Sequence, residues 1–114
     1  MATPVVEIDR RMLQDMVRCI VDAIRPEKII LFGSRAKGTA GSDSDIDLFI
    51  QVETGRDTRQ ITRETYRLLR NLPDRPPVGI DVVVKDRAFV ERYGDLVGTV
   101  VRPALKEGRV LYAR

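Results

Sequence analysis

Three aspartates stand at alternate positions, Asp43, Asp45 and Asp47, in the stretch LFGSRAKGTAGSDSDIDLFI, residues 31–50. Carboxylates this close repel and raise one another's pKa. Side chains of a strand alternate between faces, so Asp45 and Asp47 project to one side and Ile46, Leu48 and Ile50 to the other. A later run, VGIDVVVK (Val78–Lys85), repeats the pattern with Ile80, Val82 and Val84 on an apolar face and Asp81 opposite. If the two runs neighbour each other in one sheet, Asp45, Asp47 and Asp81 meet. A divalent cation relieves their repulsion, and Mg²⁺ is commonly held by one or two carboxylates together with substrate phosphates. From the D-x-D alone, Asp43 and Asp45 as turn residues with Asp47 as a solvated strand residue is an equally open reading.

Ten residues before Asp43 stands Gly33-Ser34, directly after the apolar run KIILF. A glycine between strand and helix lets backbone N–H groups approach an anion. The Ser34 hydroxyl adds a hydrogen bond, and Arg35 and Lys37 add positive charge nearby. Two better-known loops do not fit. In an EF-hand begun at Asp43, the sixth position is Leu48 instead of Gly and the twelfth is Thr54 instead of Glu. Gly33 and Gly38 have P-loop spacing, but Thr39 and Ala40 stand where Lys and Ser/Thr are required.

Composition narrows the chemistry. The chain has no histidine and one cysteine, Cys19. A tetrahedral nitrogen–sulfur zinc site and a histidine base are therefore excluded. Cys19 has no partner for an internal disulfide and reads as a small residue on a helix flank. The net charge of +3 does not by itself point to nucleic acid. No apolar run approaches a membrane span, and the N-terminus lacks the pattern of a signal peptide. A cytoplasmic, non-membrane protein with one domain over residues 1–114 is expected.

The elements that must hold these residues follow from periodicity. Ile8, Met12, Leu13, Met16, Val17, Ile20, Val21 and Ile24 predict a helix over Asp9–Arg25, with Asp9 as N-cap and Pro26 as stop. Lys28–Phe32 predicts a strand, SRAK a turn or two of helix, TAGSDS a loop, and Asp45–Val52 a second strand. Ile61, Thr65, Leu68, Leu69 and Leu72 predict a helix over Asp57–Leu72, and Pro73–Pro77 a rigid loop. Val78–Lys85 is the third strand, and Asp86 caps a helix through RAFVERY. A helical stretch carrying Leu96, Val97, Val100, Val101 and Leu105 contains Pro103, which should kink or split it. GRVLYAR closes with a short fourth strand. The expected architecture is α/β (α+β): a mixed sheet of three to four strands with helices packed on one face.

Taken together, Gly33-Ser34-Arg35-Ala36, Gly38 and Ser44-Asp45-Ile46-Asp47-Leu48 resemble the signature of the polymerase-beta-type nucleotidyltransferase superfamily. Its pattern is a strand, Gly-Ser, about ten residues, then Asp-apolar-Asp, with a third carboxylate on a later strand, where Asp81 stands. Within the superfamily the chain is similar to the minimal nucleotidyltransferases, the antitoxin half of HEPN–MNT toxin–antitoxin pairs, down to the ending Glu107-Gly108-Arg109-Val110-Leu111-Tyr112. The resemblance implies a nucleotidyltransferase fold, ATP with its triphosphate at Gly33 and Ser34, and two Mg²⁺ ions held by Asp45, Asp47 and Asp81. Asp81 then lies on the acceptor side. It also implies adenylylation of a tyrosine on a HEPN RNase toxin, in a homo- or hetero-oligomer that supplies the missing acceptor domain, without direct nucleic-acid binding. Two alternatives remain: an antitoxin that acts only by covering its toxin, and a nucleotidyltransferase for a small molecule.

Arg56, Arg59, Arg63, Arg67 and Arg70 recur on one side of the helix expected over Asp57–Leu72. Such a row is either a solvated face or a docking surface for an acidic partner or for RNA bound to it.

Overall fold

The computed structural model describes residues 10–38, 45–73, 75–76, 78–94 and 101–114. Its elements are α1 (Arg10–Ile24), β1 (Lys28–Phe32), α2 (Ser34–Lys37), β2 (Ile46–Val52), α3 (Thr58–Arg70), β3 (Ile80–Asp86), α4 (Arg87–Tyr93), α5 (Val101–Glu107) and β4 (Arg109–Ala113). The strands form one mixed sheet in the order β3-β2-β1-β4. β1 pairs antiparallel with both β2 and β4, and β2 pairs parallel with β3. A parallel neighbour requires a crossover connection, and α3 supplies it.

The periodicity of α1 and α3 decides which face they cover. Met16, Ile20 and Ile24 of α1 and Ile61 and Leu69 of α3 pack on Ile29, Leu31, Ile46, Leu48, Ile50, Val52, Val82 and Val84. The residues of β2 and β3 in this set are all even-numbered, and those of β1 are odd-numbered, as alternation requires. α3 starts at its N-cap Asp57, whose carboxylate accepts from the backbone N–H groups of Arg59 (3.1 Å) and Gln60 (3.2 Å). Farther along α3, the Tyr66 hydroxyl accepts the Val82 N–H at 2.9 Å, so the helix satisfies a donor on edge strand β3.

The other face is also occupied, which corrects the expectation of helices on one face only. That expectation holds for α1 and α3. On the opposite side Ala104 of α5 packs on buried Ile30 and Phe49, with Phe89 and Val90 of α4 and Val83 of β3 around them. β2 is thus covered on both faces over most of its length. Only Asp47 of its seven residues is not fully buried, which explains the near-continuous apolar reading of LFI.

Polar groups tie the ends together. Arg56 precedes α3, and its guanidinium donates to the Ile24 carbonyl at 2.6 Å. Arg114 donates to the Arg25 carbonyl (3.1 Å) and to Glu53 (3.0 Å). Both satisfy carbonyls at the end of α1 that the helix leaves unpaired. Arg56 therefore serves the fold and is not part of the α3 surface row. Glu27 accepts from the buried Gln51 amide (3.0 Å) and takes two bonds from Arg87 (3.1 and 2.7 Å). The Gln51 bond, then Arg87, holds its carboxyl below the ordinary range.

The loop predicted over TAGSDS, with Asp43, lies outside the described residues for all its positions, as do Ile8, Asp9, Leu96, Val97 and Val100. Asp86 caps α4 as expected, accepting the Phe89 N–H at 2.8 Å. Pro103 lies within α5. Among the described residues no helix is long and apolar enough to cross a membrane.

Candidate active site

The carboxylates gather where three strands present the same end. Asp47 pairs across the antiparallel ladder with Phe32, the last residue of β1, and across the parallel ladder with Asp81. Strand β1 finishes one residue before Gly33, so the glycine turn and the two aspartates stand side by side by register alone. Asp45 immediately precedes β2. Its carboxylate lies against Gly79, where an added Cβ would stand 2.6 Å from Oδ1. Gly79 in turn accepts the Ile46 N–H at 2.9 Å. The two glycines thus flank the pair from opposite sides.

Gly33 has φ 76° and ψ −159°, a region open in practice to glycine alone. A Cβ there would collide with Asp47 Oδ2. The absence of a side chain therefore lets the Asp47 carboxylate lie on the backbone of the strand-to-helix turn. Ser34 begins α2 directly after it, and no side-chain hydrogen bond caps this helix at Gly33. Gly38 closes α2 in the left-handed conformation, with its N–H on the Ser34 carbonyl.

Electrostatics match the geometry. Asp47 is half-buried, whereas Asp45 and Asp81 are exposed. Desolvation, followed by the charges of Asp81 and Asp45, pushes the Asp47 carboxyl above its ordinary value. Each of the three sequence-predicted aspartates is therefore in the same neighbourhood. Among the described residues, no group of three His, Cys, Asp or Glu side chains closes around a point as a metal cage. The three share a face as hard oxygen donors, the ligand type Mg²⁺ takes, and their mutual repulsion is what a cation would offset. In donor chemistry and charge they fit a divalent ion.

The two basic residues of α2 stand directly after the glycine turn. Lys37 is paired with Glu107 of α5 at 2.8 Å, both side chains about half exposed. Exposed pairs of this kind contribute little. Arg35 is half-buried on α2. Sequence reading missed the seat of Asp45 on Gly79; the available signal was a glycine two residues before Asp81.

A carboxylate row beside a glycine-serine turn, on a mixed four-stranded sheet, is the arrangement expected from the nucleotidyltransferase signature. Residues 14–109 match the family model of the nucleotidyltransferase domain, and the chain belongs to that family. Its members transfer nucleotidyl groups, and they typically use a nucleotide substrate with a divalent metal. The fold is similar to that of a crystal structure from Sulfolobus solfataricus assigned to the nucleotidyltransferases, with TM-score 0.63 and 19% identity over 100% of this chain and 91% of that one. No curated protein sequence matches the chain.

Proposed function

We propose that this nucleotidyltransferase is a protein adenylyltransferase that moves AMP from ATP to a tyrosine of a HEPN RNase toxin, and so acts as its antitoxin. The observation that carries the transferase site is the contact of Asp47 with the Gly33 backbone, with Asp81 directly opposite in register. The choice of acceptor rests on the resemblance of residues 31–50 and 107–112 to the minimal nucleotidyltransferases.

In this reading the turn at Gly33 and Ser34 seats the triphosphate. Asp45 and Asp47 would hold Mg²⁺, and Asp81 would help hold a second ion. The metal supplies charge stabilisation for the attacking and leaving oxygens of an in-line displacement. The chain's own part is to place donors and backbone. Asp47 sits in β2 with Asp45 just before it, and β3 places Asp81 opposite Asp47. The tyrosine oxygen forms the new bond to the α-phosphorus, the bond to pyrophosphate breaks, and the tyrosine proton leaves to Asp81 or solvent. The exposure of Asp45 and Asp81 leaves this end of the sheet open to a second protein.

The test is to incubate the toxin with this protein, ATP and Mg²⁺, separate the two, weigh the toxin and assay its RNase. Catalysis predicts one added AMP mass and inhibition that outlasts separation. An unmodified toxin that regains full activity would make the protein a steric antitoxin.

A further inference from the structure

Some arginines elsewhere in the chain serve the structure. Arg56 and Arg114 close the end of α1, and Arg87 holds Glu27. Those of α3 are different. Arg59, Arg63, Arg67 and Arg70 are exposed, as is Arg75 just beyond the helix. No side chain among these five forms an ion pair or hydrogen bond with a described residue. Like charges three and four residues apart on a helix disfavour it, so the row carries a cost that the fold itself does not offset.

The row also leads somewhere. Gln60, Arg63, Glu64, Arg67 and Arg70 line a surface groove of about 340 Å³. A second, of about 190 Å³, shares Arg70 and continues past Arg75 and Val78 to Gly79. Gly79 is the residue against which the Asp45 carboxylate lies. A basic track therefore runs along α3, on the face of the sheet opposite the three aspartates, and reaches the β3 edge at Gly79.

We infer that this track is the docking surface for an acidic face of the acceptor protein. The inference rests on the transferase reading above for its purpose, but not for the binding itself. Guanidinium groups pair bidentately with carboxylates, and the opposite charge of such a face offsets the repulsion within the row. Nucleic acid fits less well. Glu64 lines the same groove and would oppose a run of phosphates. Single-stranded nucleic acid is held by stacking on aromatic rings as well as by charge. The aromatic residue here, Tyr66, is half-buried and its hydroxyl is engaged by the Val82 N–H.

The probe is a fluorescein-labelled helical peptide with glutamates at i, i+4 and i+7, followed by anisotropy at low salt. Two triple variants are compared: Arg63→Gln/Arg67→Gln/Arg70→Gln on α3, and Arg10→Gln/Arg11→Gln/Arg18→Gln on exposed positions of α1. Both remove the same charge. Circular dichroism checks that each folds. The α3 variant is expected to weaken peptide binding about tenfold or more, and the α1 variant far less. Asp47→Asn, measured without ATP, should bind the peptide as the wild type does, so a failed transferase reading would leave this result standing. Equal weakening by both triples, or none by the α3 triple, overturns the docking surface. A single-stranded oligouridylate that binds as tightly as the peptide, and is lost with the α3 triple, overturns it in favour of RNA.

Discussion

Asp47→Asn is expected to lower nucleotide transfer by at least about a hundredfold, the scale on which removing one preformed electrostatic group acts, while making the protein more stable. Both halves have one cause. Asp47 is a half-buried carboxylate whose charge is disfavoured by desolvation, by Asp81 and by Asp45. Asparagine keeps the shape and removes the charge. The folded protein then loses a repulsion, and the site loses a metal-binding oxygen charge. The pH dependence has a definite sign. A carboxyl raised above its unfolded value, about 3.9 for aspartate, binds its proton more tightly in the folded state. Its protonated form supports the fold at low pH, and that support is lost as pH rises through the folded value. The stability advantage of Asp47→Asn over wild type should therefore be small in acid and open as pH rises through that window. Thermal melts at several pH values, alongside transfer assays with labelled ATP, read both. A variant that transfers like wild type, or that is less stable at neutral pH, would falsify the assignment of Asp47 to a charge-bearing site.

Gly33→Ala is expected to damage both stability and activity. Its backbone occupies a region that costs other residues ~1–3 kcal/mol. In addition the new methyl would strike the Asp47 carboxylate, which must move. Gly38→Ala is the matched comparison. Gly38 also has positive φ (74°), but an added Cβ meets nothing within 4 Å. Denaturant titration should show a loss for both variants, larger at Gly33. Transfer should fall strongly at Gly33 and remain near wild type at Gly38. Equal activity losses at the two positions would mean that strain, not contact with Asp47, is what matters in this turn.

Much of this arrangement is legible in the residues, for local physical reasons. KIILF is an apolar run stopped by a glycine, and β1 spans the same five residues. The alternation in DIDLFIQV placed Ile46, Leu48 and Ile50 on the core face and Asp47 on the other, as found. The capping signal at Asp86 needs only a carboxylate and the next three residues, and α4 starts there. What was not legible depends on packing between distant segments. LFI in β2 looks the same whether one or both faces are covered. Phe49 is buried because α4 and α5, 40 and more residues later, close over it. Arg56 shares a spacing with the α3 arginines, but the end of α1 lies within its reach and captures it. The pairing of Lys37 with Glu107 of α5 likewise joins segments far apart in the chain. The pairing of Asp47 with Asp81 needed the two strands to be neighbours in the right register, which alternation alone does not fix.

The central claim is that Gly33, Ser34, Asp45, Asp47 and Asp81 form one site for a nucleotide with its divalent ion. Titration of ¹⁵N-labelled protein with Mn²⁺ in the presence of ATP tests it without any acceptor. A paramagnetic ion broadens the amide signals nearest to it. The amides of residues 33–34, 45–47 and 79–81 should broaden first, and Asp45→Asn/Asp47→Asn should remove the effect. Early broadening centred elsewhere, for instance at the exposed Asp22 or Glu53, or unchanged broadening in the double variant, would contradict the account.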